Sequence, residues 1–94
     1  MANTTPAFFV TETEYPKLQA ACPGDFPFTY AQFVERVEDG IRQNKDIFTI
    51  EKTYADVAEF LAWCGESKIK PDNKARAKYA MFLHAKIVNP NVHL

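Results

Sequence analysis

Apolar side chains recur with helical spacing in the middle of the chain. At 100° per residue, the apolar residues between positions 33 and 41 fall within an arc of about 100°, and the charged residues fall outside it. Thr29 stands before this stretch and Gln32 follows three residues later, which is the pattern of a capping box. The sequence therefore predicts an amphipathic helix over residues 30–44, with one face in the core and the other in water.

Capping residues and helix-ending residues predict one further helix before this one and one after it. Thr13 is placed to cap a helix over 14–22, which the Pro-Gly pair that follows would end. Thr53 is placed to cap a helix over 54–65, with Gly65 as its C-terminal signal. The broad apolar arc of the second of these helices predicts that it is the most buried helix of the protein.

A last helix is predicted over 73–87, capped by Asp72 or Asn73 and stopped before Pro90. Small apolar residues and Met81 occupy the side away from its expected core face, so this helix is less cleanly amphipathic than the helix over 30–44. The pattern indicates a second contact surface, supplied by a terminal segment or by another copy of the protein.

Two short segments are rich in β-branched and aromatic residues, namely 8–11 and 47–51. They can pair as a two-stranded ribbon that leans on the helices, because such a ribbon is marginal by itself. We therefore predict a mainly α fold, a compact bundle of about four helices, with α+β as the alternative. The chain is expected to form a single domain over 1–94, with flexible or extended termini at 1–6 and 89–94.

The helical faces also predict which side chains form the core. Leu, Ile, Val and Phe account for 23 of the 94 residues, which is enough for a folded interior. The expected core residues are Phe33, Val34, Val37, Ile41, Val57, Phe60, Leu61, Tyr79, Phe82 and Leu83.

No residue pattern of the chain indicates catalysis. The three glycines are dispersed, so no phosphate-binding glycine loop is present. Cys22 and Cys64 lack metal-ligand spacing and are interpreted as reduced packing residues. Cys64 with His84 is the only pair of nucleophile and base worth considering, and no third residue is identified to orient it. We therefore expect no enzyme activity, no cofactor and no metal. In the absence of a secretory signal or a long apolar run, we expect a cytoplasmic location.

Charge is distributed unevenly along the chain, although the net charge is only −1. Residues 1–66 hold eleven acidic and five basic side chains, whereas residues 67–94 hold one acidic and six basic side chains. The basic last third is interpreted first as a solvated helix face that complements an acidic surface of the same domain. The second interpretation is a patch that binds a partner.

Nucleic acid is the alternative partner for this basic segment, with Lys68, Lys70, Lys74, Arg76 and Lys78 as the binding residues. The segment superficially resembles a helix-turn-helix, but the connector before the last helix is longer than the three or four residues of that motif. Arg76 also lies about 160° from Lys78 around the helix, so one groove of DNA cannot meet both side chains.

Trp63 and Met81 are the candidate residues for binding a protein partner. Trp63 projects about 160° away from the apolar arc of its own helix. Either the last helix or a terminal segment covers it, or it serves as an interface anchor, a role in which tryptophan is enriched. Met81 is the candidate for self-association through the last helix, which makes a homo-oligomer possible. By elimination, the sequence favours a small non-catalytic protein-interaction or regulatory protein that binds a protein partner.

Overall fold

The structure, a computed structural model, describes residues 4–88 of the chain. The elements in this part are β1 (Thr4–Phe9), α1 (Tyr15–Ala21), α2 (Tyr30–Asn44), β2 (Thr49–Tyr54), α3 (Val57–Ser67) and α4 (Asn73–Val88). The expected N-terminal flank, 1–6, is therefore divided: residues 1–3 lie outside this range, and residues 4–6 form the first half of β1. The expected C-terminal flank, 89–94, lies entirely outside the described residues.

The two strands form a parallel sheet, in which Thr4 pairs with Thr49 and Phe9 pairs with Tyr54. Parallel neighbours cannot be joined by a tight turn and need a crossover of a dozen or more residues. Here α1 and α2 provide that crossover. The fold is thus mixed α+β, which fits the alternative, and the prediction of a mainly α bundle is only partly confirmed. The strands also begin and end away from the predicted segments, 8–11 and 47–51.

Side chains of β1 alternate between two layers of helices, because successive residues of a strand point to opposite faces. The Phe9 ring lies 5.3 Å from the ring of Phe33 on α2. The Phe8 ring lies on the other face, 5.0 Å from Phe60 of α3 and 6.4 Å from Tyr79 of α4. The sheet is therefore the middle layer, with α2 on one side and the α3–α4 pair on the other.

The start of α3 differs from the prediction. Thr53 does not cap this helix, because it is a residue of β2, paired with Phe8 and only 3% exposed. The extended chain continues past the strand, where the N–H of Ala55 donates to the Phe9 carbonyl at 2.9 Å. The cap is Asp56, whose carboxylate accepts the N–H of Glu59 at 2.9 Å.

The end of α3 also lies beyond the predicted residue. Gly65 is inside the helix, which continues to Ser67. The helix ends at Lys68, whose φ of 56° places it in the left-handed region. The next N–H group, that of Ile69, donates back to the Cys64 carbonyl at 3.0 Å. The chain thereby reverses direction towards α4.

Of the predicted caps of α1 and α2, that of α2 is confirmed and that of α1 is wrong. The capping box of α2 is present, since Thr29 Oγ1 accepts the Gln32 N–H at 3.2 Å and Gln32 Oε1 accepts the Thr29 N–H at 2.9 Å. Thr13 does not cap α1, whose N-cap is Glu14 without a side-chain capping bond. Instead the Glu14 carboxylate accepts the N–H of Val57 at 2.8 Å and so ties α1 to the start of α3.

The core combines predicted helix residues with residues of β1 and α1 that the helical pattern missed. Phe33, Val57, Phe60 and Tyr79 are buried as predicted. Val34, Val37, Phe82 and Leu83 are partly buried against this cluster. Leu61 is 38% exposed and Ile41 lies outside the cluster, so these two predictions are wrong. Cys22 and Cys64 are buried, as their interpretation as packing residues predicts. The other buried apolar residues outside the expected core set are Phe9, Val10, Tyr15, Leu18, Ala55, Ala75 and Ala80.

Candidate functional site

One side of α4 is exposed and carries both lysines and a large apolar side chain. Lys74, Lys78 and Met81 fall within an arc of about 60° around the helix axis. All three are exposed, and 63% of Met81 is accessible to solvent. The opposite side of α4 is buried, because Ala75, Tyr79 and Ala80 pack into the core.

A cleft opens beside this exposed side, where the α3–α4 connector meets the first turns of α4. It has a volume of about 170 Å³. Its lining residues are Ile69, Lys70, Asp72, Lys74, Ala75 and Lys78. We call this the lysine cleft. The reversal of the chain at Lys68 positions it, because it brings the connector back against α4.

The lysine cleft is electrostatically unbalanced. None of the ion pairs within residues 4–88 involves Lys68, Lys70, Lys74 or Lys78. Asp72 is the single acidic residue of the lining, and its carboxylate accepts the N–H of Ala75 at 2.9 Å as the cap of α4. Positive charge therefore accumulates at this end of α4, where the helix dipole is also positive.

The structure separates Arg76 from the lysines with which the sequence grouped it. Its side chain points inward, only 8% of the residue is exposed, and its guanidinium donates to Asp25 at 3.1 Å and to the Pro71 carbonyl at 3.0 Å. The Cys22 sulfur lies 3.4 Å from the same nitrogen. Lys68 is exposed at the end of α3. The five basic residues therefore do not form one surface.

Trp63 is placed between α3 and α4 and does not project freely into water. Its ring lies 5.2 Å from the Tyr79 ring and is stacked 6.2 Å from the Phe82 ring. Trp63 is therefore half-buried, because α4 covers the side of α3 from which its ring projects. It does not line the lysine cleft, and Glu59 and Glu66 stand one helical turn to either side of it on α3.

Both thiols lie in the core, as their interpretation as packing residues requires. Cys22 and Cys64 are buried and free, and burial raises the pKa of each thiol above its usual value. In residues 4–88 no group of three or more His, Cys, Asp or Glu side chains is placed to hold a metal ion. His84 is half-buried on α4, and His93 lies outside the described residues.

A second concavity, which the sequence analysis missed, lies between α1 and α3. Its volume is about 440 Å³. It is lined by Lys17, Ala20, Ala21, Val57, Ala58 and Leu61. The small side chains of α1 leave this space beside α3, and they explain why Leu61 is exposed. The pair of alanines on α1 is the only feature of the sequence that could have indicated this concavity.

Comparison of the chain with protein-family models, with curated proteins and with solved structures finds no match. Among the helices in the described part of the chain, none has the length and apolar character needed to cross a membrane.

Proposed function

We propose that this protein is a small non-catalytic binding protein that docks an acidic surface of a protein partner on the exposed side of α4. The observation that carries the proposal is the combination of lysines outside any ion pair of residues 4–88 with the 63% exposed Met81 on one helix face. Methionine adapts its shape to a partner, and flanking charges of one sign select a partner of the opposite sign.

The ion pairs of the fold support an outward role for these lysines. The first interpretation of the basic last third was neutralisation by an acidic surface of the same domain. Among the described residues, only the pair formed by Arg76 and Asp25 joins the two parts of the chain, at 3.1 Å. The other three pairs use bases from within residues 1–66. The charge of the α4 face is thus left for another molecule.

A photo-reactive amino acid at position 81 tests this proposal in extract of the source cell. We expect a covalent adduct with a protein from position 81 and none from position 43, an exposed site on α2. The adduct should be lost in Lys74→Glu and retained in Lys45→Glu, because both variants change the net charge equally and only the first alters the α4 face. Equal labelling from both positions would contradict the proposal. An adduct with a second copy of the chain would show that the partner is another copy of this protein and that it forms a homo-oligomer.

Nucleic acid is the second candidate partner, since phosphate backbones also bind grouped lysines. Without Arg76, the binding residues of this alternative are Lys68, Lys70, Lys74 and Lys78. If it holds, a mobility shift with DNA or RNA should weaken with salt, with a slope of roughly −3 to −4 in log–log form for about four phosphate contacts. No shift at low salt would exclude this alternative.

A further inference from the structure

The volume of the lysine cleft sets the size of the group that it can hold. Sites for drug-sized ligands and cofactors span roughly 300–1,000 Å³. The lysine cleft has about 170 Å³ and is open to solvent, so it suits one small anionic group whose remaining atoms lie outside the cleft. A compact anion attached to a larger molecule therefore fits this site best.

The charges around the cleft favour an anion with two negative charges. Three lysines and one aspartate line it, so a dianion balances the lining. A phosphomonoester carries about −1.5 to −2 charge at pH 7 and has three strong acceptor oxygens, so each ammonium group has an oxygen to bind. A carboxylate has only one negative charge, so it would leave one positive charge of the lining unbalanced.

Lys70, Lys74 and Lys78 line the same cleft in the absence of a ligand. Lys74 and Lys78 are one helical turn apart on α4. Lys70 belongs to the connector, where the N–H of Asp72 donates to the Lys70 carbonyl at 2.8 Å. Ile69, which is 37% exposed, and buried Ala75 supply apolar walls. The ligand is therefore not required to order a loop.

From these observations we propose that the lysine cleft binds a phosphomonoester on the protein partner, namely a phosphorylated serine or threonine side chain, while Met81 contacts an apolar residue nearby. This inference rests on the proposed function, because it names the acidic group that the partner presents to the α4 face.

Short peptides test this inference directly. The probe is an acetylated, amidated pentapeptide Ala-X-Gly-Leu-Ala, in which X is phosphoserine, serine, glutamate or the methyl ester of phosphoserine. Its leucine stands about 7 Å from X in an extended chain, and Met81 follows Lys78 of the cleft by three helical residues, about 4.5 Å along the axis of α4. Binding is followed by the amide chemical shifts of residues 69–81 on titration into the ¹⁵N-labelled protein, with inorganic phosphate as a further probe.

We expect the phosphoserine peptide to bind about 1.4-fold to fivefold more tightly than the glutamate and methyl ester peptides, since one more exposed ion pair contributes about 0.2–1 kcal/mol. Lys74→Gln and Lys78→Gln should each weaken it by a similar factor, and Lys45→Gln should not. Met81→Glu should weaken binding of the peptide more than binding of inorganic phosphate. All four positions are exposed, and unchanged shifts elsewhere verify that each variant is folded.

Three outcomes would overturn the inference. The glutamate peptide binding as tightly as the phosphoserine peptide would show that the cleft attracts any acidic group. Equal weakening by Lys45→Gln would show diffuse attraction without a site. Inorganic phosphate binding as tightly as the peptide would remove the protein partner as the source of the anion. If the glutamate peptide binds as tightly, a persistent protein adduct from position 81 would leave the proposed function intact. Conversely, phosphopeptide binding with no protein adduct from position 81 would count against the proposed function alone.

Discussion

The carboxylate of Asp56 accepts the N–H of Glu59 at 2.9 Å and fixes the first turn of α3. The four N–H groups at the start of a helix have no partner within the helix, so a capping side chain stabilises them. We expect Asp56→Ala to lower the free energy of unfolding by about 1 kcal/mol, measured by urea denaturation. Asp46→Ala, at an exposed position after α2, is the matched control and should change it little. Equal effects of the two variants would show that the cap contributes nothing.

The side chain of Glu14 links α1 to the start of α3 and does not cap its own helix. Its carboxylate accepts a hydrogen bond from Lys17 and another from the backbone N–H of Val57. These bonds hold the pKa of Glu14 below its ordinary value of 4.5, and the bond from Lys17 contributes most. Because the pKa is lowered in the folded protein, this contribution to stability is present above the ordinary value and is lost as the pH falls through the lowered one. One acidic side chain thus joins two helices.

At the scale of elements, Arg76 connects α4 to the two connectors that precede α2 and α4. Its guanidinium donates to Asp25 and to the Pro71 carbonyl, and lies 4.8 Å from the ring of Phe26. Removing it leaves the Pro71 carbonyl with one donor fewer in a partly buried position, while Asp25 remains accessible to water.

We expect Arg76→Met to lower the free energy of unfolding by about 2–3 kcal/mol, since hydrogen bonds to a charged group contribute about 1.5–3 kcal/mol. Arg36→Met is the control, because Arg36 is exposed and lies over the ring of Phe28 at 4.4 Å, where such a contact contributes about 0.5–1 kcal/mol. Urea denaturation compares the two variants. If Arg76→Met is no more destabilising than Arg36→Met, Arg76 does not hold the connectors together.

At the scale of the whole molecule, Trp63 reports whether the α3–α4 layer is closed against the sheet. Its ring packs on Tyr79, which in turn contacts Phe8 of β1. We expect Trp63→Ala to lower the free energy of unfolding by about 2–3 kcal/mol, somewhat less than the 3–5 kcal/mol typical of a fully buried tryptophan. Leu61→Ala, at a 38% exposed position of the same helix, should cost less.

Fluorescence of the only tryptophan provides an independent measurement. A half-buried ring predicts a blue-shifted emission that iodide quenches only in part. Emission like that of free tryptophan, together with a cost below about 1 kcal/mol for Trp63→Ala, would support the interpretation of Trp63 as an exposed anchor for a partner instead. If the variant is destabilised as expected, its effect on partner binding must be measured on the folded protein.

The amino-acid sequence by itself determined the features that depend on residues close together in the chain. The bounds of α2 and its capping box were predicted correctly, because both bonds of the box join residues only three positions apart. The start of α4 and the exposure of its lysine face likewise follow from local capping and helical period. The basic character of the last third is a direct property of the sequence.

Tertiary structure decided the features that join distant residues. Thr53 has the residue type of a helix cap, but pairing with Phe8, 45 positions earlier, holds it in a strand. Arg76 belongs to a basic segment, but Asp25 and Pro71 bind it in the interior. In each case a contact between separated segments outweighs a local preference of about 1 kcal/mol or less, and residue spacing does not encode such contacts.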